Sequence, residues 1–184
     1  HPQALSPELA TQANQAGYVS PASCKLGEIP YSDEIISRNV LLDNGQTKLV
    51  AFPIHKTIDC IQNDPTKLSV RSVQLGKVVR RVEEDTVLGK YFTIEYPIGL
   101  RVSYYHLAAI PDTIALGSVI NAGQSVGTMG KTGQISFTGT QMLFELKAAD
   151  GNWQVFNPVR DNADTSILTI FPCAADSSTK CLLQ

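Results

Sequence analysis

Gln141-Met142-Leu143-Phe144-Glu145 is the stretch whose reading decides the fold. On an extended strand side chains alternate between faces, so Gln141, Leu143 and Glu145 share one face and Met142 and Phe144 share the other. The run continues to Ala148, and the chain upstream of it repeats the same habit. Candidate strands are Ser69–Val73, Gly76–Glu83, Tyr91–Tyr96, Arg101–Leu107, Gln124–Met129 and Gln141–Ala148, separated at short intervals by Gly, Pro and Asp. That spacing predicts a mainly β, antiparallel sandwich or partly open barrel.

Further out, Asp43-Asn44-Gly45 is a strong turn signal between Asn39–Leu42 and Lys48–Phe52, and the three together read as a hairpin. Residues 6–17 read as a short helix, with Ser6 as N-cap, Pro7 at the first helical position and Gly17 at the stop. A loop follows over residues 18–33. In the tail, Ile167–Phe171 is an apolar run suited to an edge strand. The expected organisation is an N-terminal helix and loop extension over 1–38, a β domain over 39–160, and a C-terminal tail over 161–184.

The chain has 184 residues, 43% of them hydrophobic, enough for a real core. Its formal net charge is -2 with no basic cluster, which argues against nucleic acid or anionic membrane surfaces as partners. No apolar run approaches the roughly 18–20 residues that span a bilayer, so no transmembrane segment and a soluble chain are expected. His1 in place of Met suggests removal of a signal peptide, or trimming. The four cysteines, Cys24, Cys60, Cys173 and Cys181, fit an oxidising compartment. Three pairings are open. Cys173 and Cys181 are close enough to staple the tail, Cys24 with Cys60 would then tie the N-terminal segment to the domain, and four buried free thiols remain the plain alternative.

Four blocks occur in one order. They are His55-Lys56-Thr57-Ile58-Asp59; Tyr104-Tyr105-His106-Leu107; a Gly-punctuated run from Gly117 through Gly123, Gln124, Val126, Gly127 and Gly130 to Thr132-Gly133; and Gln141–Glu145, followed by Gly151, Val155 and Asn157-Pro158. Together these resemble the LytM/lysostaphin-type (M23) zinc peptidases of bacterial cell walls. Their pattern is H-x-x-x-D, Y-x-H-L, a Gly-rich run, H-L-H-F-E and a closing N-P. The resemblance covers roughly Phe52 to Val159 and implies the LytM/M23 fold.

It also implies a site. A catalytic zinc takes three protein ligands and an open position for water, whose pKa it lowers toward neutrality. In the family the ligands are the His and Asp of H-x-x-x-D and the second His of H-L-H; the remaining two histidines assist catalysis. His55 and Asp59 match the first two ligands and His106 matches the catalytic His of Y-x-H-L. Gln141 stands at the other catalytic position, as a vestige, and Leu143 stands where the third ligand belongs. Leu has no lone pair to donate, so the resemblance implies no zinc or weakly held zinc. Tyr104, Leu143 and Glu145 are expected to line the groove. Cys60, next to Asp59, is expected to face the opposite way and be structural. His1 is a remote substitute ligand.

Plainer readings stand beside these. His55 and Asp59 could be surface residues joined by a hydrogen bond, and His106 a satisfied core histidine. The Gly-rich run suits tight turns and carries no phosphate-binding pattern. Lys131 invites comparison with a biotinyl or lipoyl hairpin, but its flanks do not match. Phe92, Tyr96, Tyr104, Tyr105 and Trp153 suit core or groove wall. The function that follows from the resemblance is a non-catalytic M23/LytM-like domain, exported to the bacterial periplasm or exterior. It would bind peptidoglycan peptide or regulate a wall hydrolase. The alternatives are a zinc metalloendopeptidase cutting wall cross-link peptides with a substituted site, and a protein-interaction module of an envelope or secretion machine. Residues before about 40 could cover the groove as a pro-segment would.

Overall fold

A computed structural model describes residues 3–4, 21–26, 35–41, 44–53, 57–97, 99–147, 149–157, 159–160 and 167–168. Two short strands come first, β1 (Gln3–Ala4) and β2 (Lys25–Leu26), then β3 (Ile35–Leu41) and β4 (Thr47–Pro53). The body is β5 (Ile58–Ile61), β6 (Ser69–Arg71), β7 (Gly76–Val82), β8 (Lys90–Tyr96), β9 (Leu100–Ala109), β10 (Val119–Ile120), β11 (Ser125–Met129) and β12 (Gly139–Lys147). β13 (Trp153–Asn157), β14 (Val159–Arg160) and β15 (Ile167–Leu168) close the chain. The described residues are mainly antiparallel sheet with no helix.

One sheet runs β1-β13-β12-β9-β8-β7-β10, antiparallel throughout except for β1 on β13. β5 pairs the first half of β12 and carries β2 on its other side. The long β9 pairs β8 and β12 along most of its length, then pairs β11 at its end, and β11 carries β6. This second layer closes over the apolar face. Val70, Val126 and Met129 meet Phe92, Tyr104, Leu107, Met142 and Phe144 in one buried cluster. Burying that face supplies the main driving force for folding.

The hairpin signalled by Asp43-Asn44-Gly45 is present: β3 and β4 pair in register from Ile35↔Pro53 to Leu41↔Thr47, as a separate two-stranded sheet. The tail run contributes β15, which pairs β14. Cys24 and Cys60 form a disulfide, so the reading of four free thiols does not hold. Cys60 is fully buried beside Met129, on the face opposite Asp59. The expected helix over 6–17, the Cys173–Cys181 pair, His1 and His55 lie outside the described residues.

Candidate functional site: a groove face with a hydrogen-bonded relay

Cross-strand partners point to the same side of a sheet, which assembles the face opposite the core. Gln141 lies between Asp59 on β5 and Tyr105 on β9. Leu143 lies beside Ser103, which lies beside Thr93. Glu145 lies between Val155 and Arg101, which is followed across the sheet by Glu95 and Lys77. Leu143 and Glu145 therefore lie on this face. Tyr104 does not. It lies on the core face, fully buried, with its hydroxyl donating to the Arg71 carbonyl at 2.8 Å.

Simple alternation would put His106 in the core with Tyr104. A bulge prevents this. Between the pairs Phe92↔Tyr104 and Lys90↔Leu107, two residues of β9 face one of β8. His106 absorbs the extra residue with φ of 63°, in the left-handed region. Its amide is recruited by the Leu88 carbonyl at 2.8 Å. The imidazole is thereby turned onto the groove face beside Tyr105.

There it enters a relay. His106 Nδ1 lies 2.8 Å from the Thr132 carbonyl, and Nε2 lies 2.8 Å from Gln141 Oε1. The Gln141 amide nitrogen donates to Asp59 Oδ1 at 2.8 Å. A carbonyl only accepts, so Nδ1–H donates to Thr132. Gln141 donates to Asp59 and so turns its oxygen toward Nε2. His106, Gln141 and Asp59 thus form one continuous hydrogen-bonded row.

Thr132 was legible only as part of a turn. The glycines explain how it gets so close. Gly133 has φ of 72° and Gly89 has φ of 68°, and a Cβ on either would collide with the facing loop. Thr132 Oγ1 donates to the Leu107 carbonyl at 2.6 Å and accepts from the Lys90 amide at 3.0 Å. The loop is locked against the bulge it supports.

Burial governs the acids and phenols beyond the relay. Burial pushes the Tyr105 phenol up to about 12; a hydrogen bond with Ser103 works against this and the Glu145 charge adds to it. Burial also raises the Glu145 carboxyl, opposed by Arg101 and Arg80. Arg101 lies over the Trp153 ring at 4.0 Å from its centroid and 3.8 Å from Glu95.

The class these observations define is a LytM-type groove domain. It joins His106, Gln141 and Asp59 by hydrogen bonds on the face that also carries Leu143. The pattern of peptidase family M23 matches residues 53–158, more than half the chain, and the chain belongs to that family. No curated protein matches it. Among solved structures it is similar to a chain of the SpoIIQ–SpoIIIAH pore forming complex, at 20% identity over 76% of this chain and 88% of that one, with a TM-score of 0.53. It is similar to lysostaphin from Staphylococcus simulans at 18% identity over 76% of this chain and 51% of that one, TM-score 0.53. The lytM protein of Ruminococcus gnavus matches at 19% identity over 82% and 61%, TM-score 0.52. The chain thus spans about half of lysostaphin, and these likenesses establish the fold.

Do the side chains present fit the family's zinc? Leu143 offers no lone pair, Gln141 spends its amide on Asp59, and His106 is bonded at both nitrogens. Among the described residues no three His, Cys, Asp or Glu side chains converge. The described side chains by themselves do not supply the three ligands a catalytic zinc needs.

Proposed function

We propose that the chain is a non-catalytic M23/LytM-like domain of the bacterial cell envelope, whose groove binds a peptidoglycan peptide or a wall hydrolase that it regulates. One observation carries this reading: the Gln141 side chain ties Asp59 to His106, beside an aliphatic Leu143 at the third-ligand position. The polar groups that a metallopeptidase would direct at metal and water are directed at one another. What remains is a sheet face whose polar groups are satisfied, which suits binding rather than cleavage. The Cys24–Cys60 disulfide supports an exported location. The test is incubation of the full chain with purified wall fragments and zinc at neutral pH, with released amines counted. The reading expects no cleavage above a protein-free control; sustained zinc-dependent cleavage overturns it.

A second reading has an observation of its own. The match to a chain of the SpoIIQ–SpoIIIAH pore forming complex covers most of both chains, which favours a protein-interaction module of an envelope machine. Cross-linking in intact cells separates the two. Capture of a protein partner that survives groove substitutions such as Leu143→Trp favours the module.

A further inference from the structure

The groove face does not end at Glu145. Val119 pairs with Lys77, and Lys147 pairs with Trp153, so Val119, Lys77 and Lys147 face the same way as Glu145 and Arg101. At this end a cavity of about 510 Å³ opens, lined by Leu75, Lys77, Glu95, Val119 and Lys147 together with the turn around Pro97 and Gly99. Leu75 and Val119 are large apolar side chains held 48% and 67% exposed. Lys77 and Lys147 make no ion pair among the described residues.

Charge is lopsided here. Lys77, Arg80, Arg101 and Lys147 share this end of the face with the carboxylates of Glu95 and Glu145. The excess is positive, although the whole chain is net -2. The Arg101 Nε is buried and has no hydrogen-bond partner; Glu95 stands off at 3.8 Å. Two lysines without ion pairs among the described residues, beside exposed apolar side chains, complement a carboxylate carried on an aliphatic residue.

We propose that this cavity is a second subsite of the groove, which takes the acidic, apolar C-terminal end of an extended peptide. The inference rests on the peptide-binding reading above and gives that peptide a direction and a chemistry. From Gln141 to Lys147 the face extends about 20 Å at the rise of a strand, the reach of about six residues of extended peptide. One end of the ligand lies by Leu143 and the His106 relay. The other places its terminal carboxylate between Lys77 and Lys147 and its aliphatic side chain against Leu75 and Val119.

The probe is a dye-labelled hexapeptide of alternating alanine and glycine ending in leucine and glutamate, with a free C-terminus. Its neutral counterpart ends in leucine and glutamine with a C-terminal amide. Binding to the full chain is read by anisotropy and by the emission of Trp153, the chain's one tryptophan. The acidic peptide is expected to bind about tenfold tighter than the neutral one, with the gap closing at high salt. Lys77→Glu with Lys147→Glu, both on exposed positions, is expected to erase the preference. Equal binding of the two peptides, or a preference untouched by the lysine changes, overturns the subsite; if Leu143→Trp still weakens that binding, the groove reading survives. Binding of neither peptide overturns both.

Discussion

Replacing Gln141 by Leu removes the centre of the relay while keeping the strand and nearly the volume. Two hydrogen bonds disappear, each worth about 1 kcal/mol net. A further loss falls at His106, which is 1% exposed and keeps a ring nitrogen facing an aliphatic group. An unsatisfied buried polar group costs about 1–2 kcal/mol more. Asp59 is half-buried and regains water, so its share is small. The expected destabilisation is about 3 kcal/mol, read as a fall in the urea midpoint at constant slope. A double-mutant cycle with Asp59→Ala sharpens the assay, because residues in one network couple by about 1 kcal/mol. A loss below about 0.5 kcal/mol, the usual effect of a surface substitution, together with simple additivity, would refute the relay.

Other consequences are as direct. Replacing Cys24 and Cys60 by Ala opens a loop with a sequence separation of 36 residues and should lower stability by about 3–4 kcal/mol, measured by denaturation with and without reductant. Burial raises the Glu145 carboxyl above its unfolded value of 4.5, so ionising it opposes folding, and stability tied to this group is full below that value and declines as pH rises through the folded value. Glu145→Gln should therefore be more stable than the wild type at pH 7, with the gain gone near pH 4 by thermal melts; an equal gain at both pH values contradicts this. Arg101→Ala removes the cation over Trp153; it should shift the emission of that ring and weaken the fold by about 0.5–1 kcal/mol, and an unchanged spectrum counts against the stack.

Much of this molecule is readable in its sequence. Alternation in Gln141–Glu145 assigned both faces of β12 correctly because the strand is regular and pairs on both sides. Asp43-Asn44-Gly45 marked its hairpin because the left-handed backbone at Gly45, with φ of 80°, suits glycine. Tyr104 was expected in the groove from the resemblance, along with His106, yet the two lie on opposite faces. The bulge that separates them depends on pairing with β8, which no local pattern encodes. The role of Thr132 was hidden for a related reason: its carbonyl meets His106 only once the Gly89 and Gly133 loops pack together. Strands β5 and β13 went unread as strands, since Ile58–Ile61 and Trp153–Asn157 are short and draw their stability from pairing with successive stretches of β12.

Zinc per chain tests the central claim most directly. The full chain is incubated with zinc at neutral pH and desalted, and its metal is counted by elemental analysis, beside a Gln141→His, Leu143→His double variant. The account predicts essentially no zinc on the wild type and about one per chain on the variant, whose new imidazole at position 143 restores the third ligand. Close to one tightly held zinc on the wild type would contradict it, since another ligand would then have replaced Leu143 and broken the bridge from Gln141 to Asp59.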